Sequence, residues 1–226
     1  MTKAMLRASA EEMRIAGPAG AIEIVIDHPV GFADEGALEA ARGIALVAHP
    51  HPLFGGTLDN KVVQTLAKTF AELGYIAIRP NFRGVGASEG EHDHGDGETD
   101  DLVAVIDFAR GRYGELPVVL AGFSFGAYVQ TRVAHRLASQ HRAPERMVLV
   151  GMADGLVTGG RRYAAEKVPA DSIVIHGELD ETVPLANVLN WARPQDLPIV
   201  VVPGADHFFH RRLQILRDIV KGSWQP

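Results

Sequence analysis

Cysteine is absent from the 226-residue sequence. The chain therefore forms no disulfide, offers no thiolate ligand for zinc and has no cysteine nucleophile. Any covalent catalysis must use another side chain.

Long apolar runs and basic clusters are also missing. No apolar segment approaches the ~20 residues needed to span a bilayer, and the N-terminal MTKAMLRASAEEMRIAG lacks the uninterrupted apolar core of a signal peptide. The net charge is −6 with both signs interspersed, whereas phosphate binding requires a concentrated Lys/Arg surface. We therefore expect a soluble cytoplasmic protein with neither a nucleic-acid nor a membrane partner.

The remaining composition is that of a globular protein, with 46% hydrophobic and 22% charged residues. Strand-like runs alternate with helical patterns, which predicts parallel crossovers and helices on both faces of a sheet. The first two strands are predicted to form an antiparallel hairpin. The expected fold is a single α/β domain, residues 1–226, with a doubly wound, mostly parallel sheet of about eight strands. The predicted strands cover residues 11–18, 21–29, 43–50, 75–82, 116–124, 145–153, 172–180 and 197–208, and the predicted helices cover 60–74, 97–113, 125–140, 183–192 and 209–222.

One serine lies between two glycines directly after a buried strand, in Gly122-Phe123-Ser124-Phe125-Gly126. This G-x-S-x-G pattern is typical of a sharp strand-to-helix turn that exposes a nucleophilic hydroxyl at the edge of a sheet. Glycines are needed two residues before and after the serine, where the turn leaves no room for side chains. The alternative is that the serine only caps the following helix.

Other polar residues follow the remaining strands, where ligands bind in parallel sheets. A serine nucleophile needs a neighbouring base, and the base needs a carboxylate that fixes its tautomer. Ser124, Asp180 and His207 supply these groups in the order serine, acid, histidine, with Asp154 as a competing acid. The other polar residues at or near strand ends are His49, His51, Asn81, Arg83, His176, Asp206 and His210, of which His176 is expected to serve packing and His210 to be a solvated helix residue.

Three segments together resemble the α/β-hydrolase superfamily, namely GFSFG, HGELDETVP and GADHFF, and NFRGVGASEG resembles a further segment of it. AHPHPLFGGTLDN is similar to small bacterial serine hydrolases related to dienelactone hydrolase. Dienelactone hydrolases use a cysteine nucleophile, so the serine here favours ordinary ester chemistry. The resemblance favours Asp180 as the acid. It also implies that a cap would follow residues 145–153, where the connection, residues 154–171, is too short for one.

Backbone N–H groups are the expected donors to the oxyanion. One is the amide of Phe125; the second comes from the loop after residues 43–50, where Pro50 and Pro52 have no N–H. His51 and Leu53 remain, and the resemblance favours Leu53. Aromatic and apolar residues near the serine are expected to line an open cleft, with Phe54 and Phe123 binding substrate alongside Leu53 and Phe125.

The expected function is hydrolysis of small-molecule carboxylic esters, with short acyl chains, through an acyl-enzyme and with neither cofactor nor metal. Thioesterase or peptidase activity is the nearest alternative, because both use the same groups, and a non-enzymatic ligand-binding protein on this fold is the other. The acidic and histidine-rich segment 91–101 is expected to be a solvated loop that leads into a helix. The pairs Arg161-Arg162 and Arg211-Arg212 are expected on the surface, where either could favour an acidic substrate.

Overall fold

A computed structural model describes residues 10–29 and 41–224 of the chain. Eight strands form one sheet in the order β1-β2-β4-β3-β5-β6-β9-β10, and β7 and β8 form a separate small hairpin. β1 pairs antiparallel with β2, and β2 antiparallel with β4, while the remaining neighbours in the large sheet are parallel. The strands are β1 Ala10–Gly17, β2 Gly20–Asp27, β3 Gly43–Ala48, β4 Tyr75–Pro80, β5 Val118–Phe123, β6 Arg146–Val150, β7 Gly155–Leu156, β8 Arg162–Tyr163, β9 Ile173–Gly177 and β10 Ile199–Val202.

Helices cover both faces of this sheet. They are α1 Lys61–Glu72, α2 Asp96–Tyr113, α3 Phe125–Ser139, α4 Leu185–Ala192 and α5 Leu213–Ser223. One apolar core lies between the sheet and α2, α3 and α4, and a second lies between the sheet and α1 and α5. Every residue of β3, β4 and β5 is buried, as expected for strands covered on both faces. The predicted doubly wound, mostly parallel sheet of eight strands is confirmed.

The largest differences from the predicted limits concern the last strand and the last helix. The last strand ends at Val202 and the last helix begins only at Leu213. Between them the chain makes a turn in which Phe209 and Arg211 have positive φ angles of 53° and 59°. Phe209 is fully buried there, so the turn anchors the chain in the core before the helix starts.

The connection 154–171 holds only the β7–β8 hairpin, which pairs Gly155 with Tyr163. Among the residues described, there is no separate cap over the sheet. None of the described helices combines the length and the apolar character that crossing a membrane requires.

Candidate active site

Ser124 occupies a strained turn between β5 and α3. Its backbone angles are φ 56° and ψ −119°, a region that side-chain-bearing residues seldom adopt and that is typical of functional sites. Its amide donates to the carbonyl oxygen of Val150 at 2.9 Å, which ties the turn to β6. The turn therefore holds the serine at the carboxyl edge of the sheet.

The two flanking glycines are required by close backbone contacts. A Cβ atom on Gly122 would lie 2.7 Å from the backbone of Gly126 and of Ala127. A Cβ atom on Gly126 would lie 2.4 Å from the carbonyl oxygen of His49 and 2.5 Å from that of Ala48. Both distances are well below van der Waals contact, so only glycine allows α3 to begin this close to β3.

Ser124, His207 and Asp180 form a continuous hydrogen-bonded chain. The Oγ of Ser124 lies 3.0 Å from Nε2 of His207, and Nδ1 of His207 lies 2.7 Å from Oδ2 of Asp180. All three residues are at least nine-tenths buried. Since an ionised carboxylate only accepts hydrogen bonds, the proton of a neutral His207 belongs on Nδ1, which leaves the Nε2 lone pair facing the hydroxyl.

Backbone amides fix Asp180 in this position. Its Oδ1 accepts hydrogen bonds from the amides of Thr182 at 2.9 Å and Val183 at 2.8 Å. His176 lies beneath it, with Nε2 3.0 Å from the Val183 carbonyl oxygen and 3.4 Å from Oδ2 of Asp180. Burial lowers the pKa of His176, so this ring is neutral and donates to the carbonyl group.

Asp154, the competing acid, and Asp206, next to His207 in the sequence, both have other partners. Oδ1 of Asp154 accepts a hydrogen bond from the amide of Ala165 at 2.9 Å, and burial raises the pKa of this carboxyl group. Asp206 pairs with His210, whose Nδ1 lies 2.6 Å from Oδ2 of Asp206. His210 therefore pairs with an acid on the surface.

The loop that follows β3 gives the two predicted oxyanion donors different partners. The amide of Leu53 donates to Nδ1 of His51 at 3.2 Å, and the Leu53 side chain is 69% exposed. The backbone N–H of His51 has no acceptor among the residues that the structure describes. The Phe125 amide belongs to the first turn of α3, where N–H groups have no partner within the helix. These contacts favour His51 over Leu53.

Two of the aromatic residues expected in the cleft lie beneath it. Phe123 is fully buried, with its ring centroid 4.9 Å from that of His207, and Phe125 is 1% exposed with its ring 4.9 Å from that of His51. They belong to the two separate cores, because Phe123 is the last residue of β5 whereas Phe125 is the first residue of α3, beyond the turn at Ser124. Phe123 therefore supports the imidazole from below, and only Phe54, at 67% exposure, lies on the open surface.

Two adjoining cavities open around Phe54. The smaller, ≈ 80 Å³, contains Ser124 and His207 and is bordered by Phe208. The larger, ≈ 340 Å³, lies on the side of the β7–β8 hairpin and is bordered by Tyr128 and Tyr163. His51, Phe54 and Arg161 line both cavities. Phe208 was not among the predicted site residues, although its position directly after His207 could have indicated it.

The acidic and histidine-rich segment 91–101 folds partly inward, which corrects its interpretation as a solvated loop. Glu98 is fully buried, accepts hydrogen bonds from the amides of Asp93 and Gly95, and lies 2.7 Å from Nδ1 of His92. The helix begins at Asp96, and Arg83 forms two hydrogen bonds with Asp101 in it. Two other polar side chains at strand ends join backbone segments: His49 accepts a hydrogen bond from the Phe82 amide, and Asn81 accepts one from the Leu58 amide.

Comparisons with known proteins agree with this fold. Residues 55–158 match the family model described as serine aminopeptidase, S33. A solved α/β serine hydrolase homologue from Coxiella burnetii is 36% identical, with 95% of this chain and 97% of that chain covered and a TM-score of 0.78. A solved α/β serine hydrolase without a lid from Xanthomonas campestris is 34% identical, with 99% of each chain covered and a TM-score of 0.83. The chain belongs to the α/β-hydrolase superfamily, among its lidless serine hydrolases.

Curated relatives include an uncharacterized protein of Rickettsia prowazekii, 32% identical over 181 residues, which covers 76% of this chain and 74% of that protein. The lysophosphatidylserine lipase ABHD12 of Gallus gallus is 31% identical over 221 residues. That alignment covers 81% of this chain but 57% of the lipase, so the chain spans little more than half of that relative's length.

Proposed function

We propose that this hydrolase is a carboxylesterase-type serine hydrolase acting on small-molecule esters with short acyl chains. The main support is the hydrogen-bonded chain from the Ser124 hydroxyl through His207 to the buried Asp180 carboxylate. We interpret residues 1–226 as one domain, and the cytoplasmic location stays a prediction.

The proposed reaction has two halves. Nε2 of His207 accepts the proton of Ser124 as its Oγ attacks the ester carbonyl, and Asp180 stabilises the resulting imidazolium. Collapse of the tetrahedral intermediate breaks the ester bond, and His207 returns its proton to the departing alkoxide. Water then attacks the acyl-enzyme by the same route, which releases the carboxylic acid and restores the serine. No cofactor enters either half.

The oxyanion of both tetrahedral intermediates needs two preorganised donors. We assign one to the Phe125 amide, which directly follows the nucleophile. For the second we favour the His51 amide over the predicted Leu53 amide, because the Leu53 N–H already donates to the His51 ring. His51 also lines the cavity that contains Ser124, whereas Leu53 lines only the neighbouring ones.

The preference for short acyl groups follows from the size of the cavity beside the nucleophile. At ≈ 80 Å³ it accommodates only a few methylene groups, and methylenes left in water gain none of the ~0.8 kcal/mol that each buried one contributes. Ester chemistry is also supported by the name of the chicken relative, a lipase. Amide cleavage is the second candidate, because the matching family model is described as a serine aminopeptidase.

The test is kcat/KM for p-nitrophenyl esters of increasing chain length, measured below and above substrate aggregation, with aminoacyl p-nitroanilides as the amide series. We expect kcat/KM to be highest for acyl chains of roughly C2 to C6, without a rise on aggregation, and to exceed that for the anilides. Ser124→Ala is the matched control and should remove this turnover. Values that rise steadily through long chains, or a preference for the anilides, would contradict the proposed substrate class.

A further inference from the structure

The larger of the two cavities around Phe54 is lined by two positively charged side chains. Arg161 and Arg162 both line it, and no acidic side chain does so among the described residues. In the described part of the chain neither arginine has a carboxylate within ion-pairing distance, whereas nine other arginines do. This local excess of positive charge occurs in a chain whose net charge is −6.

Neutral groups hold Arg161 in place. Its Nη2 donates to the Thr158 carbonyl oxygen at 3.0 Å, and its guanidinium carbon lies 4.1 Å from the centre of the Phe54 ring. Its Nε is buried and has no hydrogen-bond acceptor. A buried donor without an acceptor, on a cation without a counter-charge, lowers stability. An anion in the cavity would supply the missing charge.

The rest of the cavity wall suits an anion joined to a ring or short chain. Tyr128 and Tyr163 provide aromatic surface, with their ring centroids 5.0 Å apart, and His92 and His94 supply ring nitrogens. Burial, together with the neighbouring His92 and Arg161, lowers the pKa of His51 to about 4. His51 is therefore neutral at neutral pH, and the two arginines provide the fixed positive charge.

We propose that this cavity binds an anionic group of the substrate, a carboxylate or a phosphate, while the ester bond lies at Ser124. The proposal rests on the proposed ester hydrolysis and names its substrate class: small esters with a negative charge on one side of the scissile bond. His51, Phe54 and Arg161 line both cavities, so one molecule can occupy the two at once. Arg161, at their junction, is the specificity-determining residue.

The kinetic test compares three pairs of esters that differ in charge. 4-Acetoxybenzoate against 4-acetoxybenzamide places a carboxylate in the leaving group, and 4-acetoxyphenyl phosphate against phenyl acetate places a phosphate there. Mono-p-nitrophenyl adipate against p-nitrophenyl heptanoate places a carboxylate in the acyl group, on a chain too long for that carboxylate to attack its own ester efficiently. Each kcat/KM is divided by the rate constant for hydroxide-catalysed hydrolysis, so that intrinsic reactivity cancels.

We expect the anionic ester to be preferred by about tenfold or more in at least one pair, as charge-assisted hydrogen bonds give this order of discrimination. Added salt should reduce the preference. The combined substitution Arg161→Gln and Arg162→Gln should bring the ratio close to one, mainly through KM. The matched control replaces the other pair, Arg211 and Arg212, with Gln; both are exposed and line neither cavity, so the preference should persist.

Calorimetric titration with phenyl phosphate, benzoate and neutral benzamide gives a readout that needs no turnover. We expect at least one anion to bind more tightly than benzamide and to lose this advantage in the Arg161/Arg162 variant. Neutral esters preferred in all three pairs, or a preference that survives in that variant, would overturn the proposal. If no ester is hydrolysed, the proposed function fails, and the titration alone tests whether the cavity binds an anion. Anion binding that depends on Arg161 and Arg162 would support the anion site, and no anion binding would overturn it.

Discussion

His207 lies between a hydroxyl group and a carboxylate, and the proposed reaction depends on which of its nitrogens bears the proton. Asp180 accepts from Nδ1 at 2.7 Å and leaves Nε2 to face Ser124. An amide in place of the carboxylate can donate to Nδ1 and so stabilise the wrong tautomer. The Asp180 carboxylate therefore selects the tautomer of His207 as well as stabilising the positive charge of its imidazolium.

Asp180→Asn should therefore lower kcat for a short ester on the order of 10⁴-fold, with the fold retained. The matched control is Asp154→Asn, because Asp154 follows the neighbouring strand but bonds to the Ala165 amide. It should lower kcat far less. Steady-state kinetics of both variants provides the measurement, and the reverse ranking would show that the acid is misassigned.

His49 is a buried histidine at the end of β3 whose role is structural. Nε2 accepts from the Phe82 amide at 2.9 Å, and Nδ1 lies 2.6 Å from the Pro50 carbonyl oxygen. The ring is fully buried, and burial lowers its pKa from 6.5 to about 4. Between these values the unfolded chain binds a proton that the folded chain does not, so stability rises with pH.

Stability should therefore fall as the pH decreases from about 6.5 to about 4, with His49 contributing about 3 kcal/mol to the loss. Urea unfolding of wild type and His49→Gln at several pH values between 4 and 7 measures this contribution as the difference between the two profiles. The variant is expected to be less stable at pH 7 and to lose less stability on acidification. Parallel profiles would contradict the assignment of a neutral, buried His49.

Among elements, the turn from β5 into α3 has the tightest requirements. Gly126→Ala would bring a Cβ atom within 2.5 Å of two carbonyl oxygens of the β3 segment. We expect it to lower the free energy of unfolding by about 1–3 kcal/mol and to reduce turnover strongly, because α3 must shift and Ser124 moves with it.

The matched control is Gly111→Ala, in the last turn of α2, where an added Cβ would meet nothing within 4 Å. There, alanine should raise stability by up to about 1 kcal/mol through helix propensity. Chemical denaturation and kcat for both variants test the contrast. An active, fully stable Gly126→Ala protein would show that the turn tolerates a side chain.

Elements with a regular apolar period could be predicted from the sequence, and segments held by distant contacts could not. The buried runs of β3 and β5 and the glycine pattern around Ser124 are local, so they indicated the sheet and the turn directly. The connection 154–171 depends instead on two hydrogen bonds, from the Ala165 amide to the Asp154 carboxylate and from the Glu166 amide to the Thr131 hydroxyl in α3. Such contacts exist only once the sheet has formed.

The same distinction applies to the candidate site. Ser124, Asp180 and His207 were expected together because parallel strands end at the same edge of a sheet. Two other features follow from side-chain packing: the burial of Phe123 and the hydrogen bond from the Leu53 amide to the His51 ring. The positions of the strand ends do not define such packing.

For the whole molecule, the central claim is that the fold activates one serine among six. A fluorophosphonate reacts only with an activated serine hydroxyl, and an adduct forms whether or not the natural substrate is known. The same measurement therefore separates a serine hydrolase from a non-enzymatic binding protein on this fold.

The most direct test is intact-mass and peptide mass spectrometry of the folded protein after fluorophosphonate treatment, with Ser124→Ala treated in parallel. We expect a single adduct, located on Ser124, and none on the variant. No adduct on the folded wild-type protein, or an adduct that persists when Ser124 is replaced, would contradict it.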